Sequence, residues 1–246
     1  MDSPEVQDRS ARRKAFAVHV LTASGAITGL LALQSVIDGN IRAALLWLIA
    51  CQILDGIDGP IARKYDTVTH APHIDGHILD LVVDYVTCVV VPVAFLVRLH
   101  LLPDHWQMIL AALIIFTSAL WFARSDLETD DAWFNGFPAA WNVVVPTYLI
   151  LETGKIWACV VTVVLCAAQL TRLKFPHLMR VRAMRKTTIS ISVIYLIALT
   201  VLSAEYPRGP LWAKYVLLLG PLYLLFLVIW RTFFPSKSIF GQRITT

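Results

Sequence analysis

Charge is scarce in this sequence. Of its 246 residues, 15% are Asp, Glu, Lys or Arg, against about 25% in a soluble globular domain, which excludes a soluble enzyme and a disordered chain. Cysteine is also sparse: Cys51, Cys88, Cys159 and Cys166 stand singly in apolar runs. With no C-x-x-C pair among them, neither a thiolate zinc site nor a disulfide framework is implied. Internal repeats and low-complexity tracts are missing, so the chain reads as one domain over 1–246. Short alternating segments of the kind that build a membrane β-barrel are missing too. What the sequence does have is apolar length: 57% hydrophobic residues, a mean hydropathy of +0.66, and blocks of about twenty apolar residues, enough for a helix to cross a bilayer core. The expected fold is all-α, a polytopic transmembrane bundle.

Hydropathy places spans near 15–37, 41–62, 77–98, 105–124, 138–152, 154–173, 187–204 and 211–233. Residues 1–14 are polar and basic, and the run after them is too long for a signal segment, so it is read as a retained first span. The fifth span is the shortest and contains Pro146; neighbouring helices can satisfy the backbone groups a proline frees. Eight spans put both termini on the cytoplasmic side. Sixteen of the 21 basic residues then lie inside, Lys237 and Arg243 among them, and five lie outside: Arg42, Arg98, Lys155, Arg208 and Lys214. This is the bias of the positive-inside rule. Removing the fifth span would move the basic run of 172–186 to the outer side.

The polar residues that break the apolar pattern are concentrated in the second and third spans. The chain reads Asp55-Gly-Ile-Asp58-Gly59-Pro-Ile-Ala62-Arg63, then twelve residues, then Gly76-x3-Asp80-x3-Asp84. Spacings of three and four put each acidic pair on one helix face. Antiparallel neighbours joined by a cytoplasmic loop turn the two faces toward each other. Four carboxylates at membrane depth repel and are costly to bury, which makes sense if divalent cations balance them. Oxygen-only ligands suit Mg²⁺ or Mn²⁺, and a pair of such ions is the usual clamp for displacement at phosphorus. Gly59, Ala62 and Gly76 would let a flat ligand approach closely, and Arg63 could reach a phosphate. A proton or cation relay in a transporter fits the same residues.

The pattern D-x2-D-G-x2-A-R…G-x3-D-x3-D resembles the signature of the CDP-alcohol phosphotransferases, integral membrane enzymes of phospholipid synthesis. All eight signature positions are filled, by Asp55, Asp58, Gly59, Ala62, Arg63, Gly76, Asp80 and Asp84. The twelve-residue gap and the segment Phe134-Asn-Gly-Phe-Pro-Ala-Ala-Trp-Asn142 are similar to the bacterial phosphatidylcholine synthase branch of that family. The resemblance implies CDP-diacylglycerol as donor, choline as acceptor and CMP as leaving group. It implies Mn²⁺ or Mg²⁺ held by Asp55, Asp58, Asp80 and Asp84, with Asp84 also the general base. It places the CDP moiety at Gly59, Ala62, Arg63 and Gly76. It further implies an integral protein of the bacterial inner membrane, with the active site facing the cytoplasm and membrane lipids around it. Nucleic acid has no part in it, and a homodimer is left open. Serine or an inositol phosphate is the alternative acceptor; a phosphorylated one would want more deep Arg or Lys than spans two to five offer.

A quaternary ammonium is recognised by aromatic faces and nearby negative charge. The stretch 120–148 supplies Trp121, Phe122, Trp133, Phe134, Phe137, Trp141 and Tyr148, with Asp126, Glu128, Asp130 and Asp131 nearby. An interfacial aromatic belt explains such residues equally well. Trp141 and Asn142, inside the branch-like segment, are the favoured choline contacts, with Trp121 and Phe137 beside them. His70, His73 and His77 fit no helix-face metal pair and are read as a solvated loop.

Overall fold

In the computed structural model, residues 4–234 other than Ala183 are described; Lys237 and Arg243 of the inner-side count lie outside them. Helix α1 (Pro4–Ile37) is followed by α2 (Ile41–Tyr65), a single turn α3 (Thr67–His70) and α4 (Gly76–Asp84). A π-helical segment (Tyr85–Val90) joins α4 to α5 (Val91–Arg98). Then come α6 (Asp104–Phe122), β1 (Trp133–Asn135), α7 (Trp141–Ile150), α8 (Lys155–Gln169), β2 (Lys174–Pro176), α9 (Arg185–Ala204) and α10 (Leu211–Phe233). Each apolar block of the sequence is a helix, and the chain is a polytopic helical bundle.

Among the described residues, six helical runs are long and apolar enough to cross a membrane: Asp8–Ile37, Ile41–Tyr65, Gly76–Arg98, Asp104–Phe122, Arg185–Ala204 and Leu211–Phe233. Helices α7 and α8, with 10 and 15 residues, rise only about 15 and 22 Å at 1.5 Å per residue. The expected fifth and sixth spans are therefore shorter than drawn. They nevertheless run between the same two levels as their neighbours. At one level the Lys155 ammonium lies 3.6 Å from Asp104, Lys214 donates to Glu152 at 2.9 Å, and Arg42 donates to the Tyr206 carbonyl at 3.0 Å. At the other, Arg124 donates to the carbonyls of Gln169 and Thr171, Arg180 pairs with Glu128, and Arg231 pairs with Asp131. These contacts separate the basic residues into the two groups that the charge bias separates.

The second level carries a feature that hydropathy does not suggest. Strands β1 and β2 form an antiparallel ribbon with Trp133 opposite Pro176, Phe134 opposite Phe175 and Asn135 opposite Lys174. Gly136 turns the chain out of it at φ +88°, and a Cβ there would lie 2.5 Å from the Gln169 carbonyl oxygen. Only glycine fits both the left-handed backbone and the close approach. The Trp121 indole donates to the Asn135 carbonyl at 2.9 Å, and Lys174 donates to the Asn135 side chain. The largest apolar core lies above this ribbon, among α5, α6, α7 and α8, with Phe95, Leu96, Ile114, Trp121, Phe137 and Trp141 buried in it. Trp141 donates to Ser118 at 3.0 Å, and Ser118 also accepts from Gln169, which in turn accepts from Thr117. Every polar member of that network has a partner.

Candidate active site

The cleft is built by the other half of the molecule, from α1, α2 and α4. Helix α1 buries Ala15, Val18, His19, Thr22, Gly25 and Gly29 on one face. A Cβ on Gly25 would meet the Val83 side chain at 2.7 Å and one on Gly29 would meet Thr87 at 3.1 Å. These two glycines let α4 and the π segment lie directly against α1, which sets the floor of the cleft.

On α2, Asp55 and Asp58 point toward that floor, and Asp80 and Asp84 reach it from α4. Ligand oxygens of Asp55, Asp80 and Asp84 all lie within 4.8 Å of one another. Asp58 is buried, lines the same pocket with Thr22, Gly25, Cys51 and Thr87, and has the Thr22 side chain as hydrogen-bond partner. Three carboxylates thus converge, and the fourth stands in the same wall, outside the group of three. No Lys or Arg lines the pocket, and none of the ion pairs among the described residues includes any of the four. Converging anions without a protein cation fit a bound divalent metal: hard oxygen ligands, arriving from two helices, with negative charge to be neutralised.

The turn beyond the carboxylates is open. A Cβ on Gly56 would meet nothing within 4 Å, and one on Gly59 would meet only the Arg63 guanidinium, 3.5 Å away. Pro60 sits inside α2 and has no N–H to give the Gly56 carbonyl, so polar backbone is left available here. Ala62 is half-buried and Arg63 exposed. Gly76 opens α4, where Asp75 caps the helix by accepting from the amides of His77 and Ile78. Directly after Asp84 the helix widens into the π segment, and Thr87 donates to the Val83 carbonyl at 3.0 Å. Such bulges are frequent at functional sites because they rotate one part of a helix relative to the next.

The expected aromatic contacts lie elsewhere. Trp121, Phe137, Trp141 and Asn142 are all buried, and none lines the carboxylate pocket. Trp141 packs edge-on against Phe137 at 5.4 Å, and the indole N–H groups of Trp121 and Trp141 are both bonded to protein. The reason is packing: α7 lies against α5 and the π segment, so its aromatic start is enclosed by the core. An open box at these four positions is not what the structure contains. His70 bonds the Asp66 carbonyl, while His73 and His77 are exposed. Sequence reasoning passes over α1, whose only signal is a histidine and two small residues on one face of an apolar run.

The β1–β2 ribbon carries its own electrostatics. His177 stacks on Phe134 with ring centroids 5.2 Å apart. Burial, and then the nearby Arg180 and Arg63, hold its pKa down to about 4. Asp126 is held below the usual carboxylate range by its two bonds from Arg124.

A family profile described as CDP-alcohol phosphatidyltransferase matches residues 17–168, most of α1 through α8. The chain belongs to the CDP-alcohol phosphatidyltransferase family. It is 38% identical to a phosphatidylcholine synthase of Pseudomonas aeruginosa, over 94% of this chain and 95% of that one. It is 35% identical to a phosphatidylcholine synthase of Brucella melitensis, over 91% and 81%. It is 31% identical to one from Borreliella burgdorferi, over 89% and 94%. As a CDP-alcohol phosphatidyltransferase it is a transferase, and the carboxylate cleft falls wholly inside the matched residues. Helices α9 and α10 lie beyond the family match.

Proposed function

We propose that this transferase makes phosphatidylcholine, moving the phosphatidyl group of CDP-diacylglycerol to choline and releasing CMP. The observation that carries the reading is the unpaired trio Asp55, Asp80 and Asp84 at signature positions on facing helices. The names of the relatives supply donor and acceptor. A divalent cation, Mn²⁺ or alternatively Mg²⁺, held by these residues and Asp58 would supply positive charge beside the donor's pyrophosphate. The CDP moiety lies over Gly59, Ala62 and Gly76, with Arg63 at its outer edge. Asp84 takes the proton of choline's hydroxyl as that oxygen bonds the lipid-side phosphorus and the bond from that phosphorus to the CMP oxygen breaks. Asp84 is suited to this by position, since it is the last carboxylate before the π segment.

Trp141, Asn142, Trp121 and Phe137 act in this reading as the wall that fixes the π segment behind Asp84, rather than as a cage around the ammonium. The cleft opens to the cytoplasm of a bacterial inner membrane. The test is CMP release by purified protein from CDP-diacylglycerol, with choline, serine, glycerol 3-phosphate and inositol phosphate run in parallel. Choline is expected to be used at least tenfold faster than the others. Equal rates with serine would remove the choline assignment, and no CMP with any acceptor would remove the transferase reading in favour of an ion pathway.

A further inference from the structure

His19 is the polar residue in the cleft half that no part of this chemistry uses. It is 4% exposed, in the middle of an apolar span, and its Nε2 is sealed from solvent with no hydrogen-bond partner. A buried ring nitrogen left unpaired is costly, and each such atom in a native protein calls for an explanation. Its surroundings say which role. The Nδ1–Cε1 edge lies over Gly76: a Cβ on that glycine would be 3.0 Å from Cε1 and 3.4 Å from Nδ1. Thr22, one turn further along α1, lines the carboxylate pocket.

Helix directions fix the level. Helices α1 and α4 run away from the cytoplasm and α2 runs toward it, so His19 lies about one turn to the cytoplasmic side of Thr22, Gly76 one turn to that side of Asp80 and Ala62 one turn to that side of Asp58, with Gly59 next to Asp58. A metal at the carboxylates would find only oxygen ligands there, with the imidazole a turn away. The part of the donor that must occupy this level is the one beyond the pyrophosphate, the cytidine nucleoside. Its base and ribose carry both donors and acceptors, and a neutral imidazole offers one of each.

We infer that His19 is a nucleotide-binding residue, hydrogen-bonding the cytidine half of the donor through its imidazole at the level of Gly76. The inference rests on the transferase reading for the identity of the nucleotide. It also explains why position 76 carries no side chain, since one there would displace the imidazole as well as the ligand.

The test is equilibrium binding of CMP to the full-length purified protein at fixed saturating Mn²⁺, with Mn²⁺ titrations run separately. His19→Phe keeps the ring volume over Gly76 and removes both nitrogens. It is expected to weaken CMP about tenfold, the usual worth of one buried hydrogen bond, and to leave the Mn²⁺ midpoint and the KM for choline unchanged. His19→Gln, which keeps a donor and an acceptor, is expected to recover part of the loss and serves where the Phe variant does not fold. CMP affinity within twofold of wild type in both His19 variants would overturn the inference. So would a Mn²⁺ midpoint that moves as far as the CMP affinity, since His19 would then be holding the carboxylate helices. Wild-type protein that releases no CMP from CDP-diacylglycerol would instead count against the transferase reading, and wild-type CMP binding separates the two failures.

Discussion

The two halves of this bundle differ in how their clustered polar side chains are paired. Between α6, α7 and α8, every buried polar atom of the Thr117–Ser118–Gln169–Trp141 network has a protein partner. Among the described residues of α1, α2 and α4, the exposed Asp55, the half-buried Asp80 and Asp84 and the buried Nε2 of His19 have none, although Gln107 Oε1 on α6 lacks one too. A satisfied network rigidifies its surroundings. An unsatisfied one waits for something the chain does not contain. The contrast supports the proposed reading, in which the aromatic half is scaffold and the acidic half is site, although aromatic composition alone suggests a ligand box in the former.

The sharpest way to break this division is to remove a carboxylate. Asp80→Ala or Asp55→Ala is expected to reduce CMP release below detection, while the metal-free protein keeps its thermal stability or gains some, because like charges within 4.8 Å repel. An active variant, or one that fails to fold, would place these residues in the scaffold. Asp84→Asn keeps one ligand oxygen but cannot take a proton. Its kcat should fall by roughly 10²–10⁴ with CDP-diacylglycerol affinity largely kept. Affinity and rate that fall together, and recover together at high metal, would make Asp84 a ligand only.

The reciprocal experiment belongs to the other half. Trp141→Ala empties a fully buried indole site and should cost about 3–5 kcal/mol of stability; the folded fraction should keep its KM for CDP-diacylglycerol. A tenfold change in choline KM without loss of stability would return the acceptor site to the aromatic cluster. The smallest effect concerns pH. His177 is neutral in the folded ribbon down to about 4 but titrates near 6.5 when unfolded. The unfolded chain therefore binds the extra proton first, and stability declines as pH falls from about 6.5 toward 4. His177→Phe, which keeps the stack on Phe134, should flatten the melting temperature in that window, whereas an unchanged slope would show that burial, with Arg180 and Arg63, does not hold this ring neutral.

Much of this architecture was legible in the residues, and the gaps have physical causes. Apolar blocks locate the eight long apolar runs of helix, to the residue for α10 (211–233) and within a few residues elsewhere apart from the start of α1 and the ends of α7 and α8, but not the single turn α3. Spacings of three and four aligned Asp55 with Asp58 and Asp80 with Asp84 because helical periodicity is a local property. The β1–β2 ribbon was invisible, since three residues at 133–135 pair with three at 174–176 and no periodicity links them. The π segment is one residue's worth of extra backbone inside a continuous apolar run, and hydropathy does not register it. The enclosure of the aromatic stretch could not be read from the residues, because composition cannot separate an enclosed Trp141 from an open one. His19 was silent for a different reason: a single histidine in a span gains meaning only when Gly76 is found beneath its ring.

The claim at the centre is that the acidic half is completed by a divalent cation. It is tested most directly by titrating Mn²⁺ into the purified protein and following the free-ion paramagnetic resonance signal, with neither lipid donor nor choline present. Saturable binding is predicted for wild type and for Trp141→Phe, weakened at least tenfold by Asp55→Ala or Asp80→Ala. No saturable binding in wild type, or equal binding after Asp55, Asp80 and Asp84 are all replaced by alanine, would contradict it.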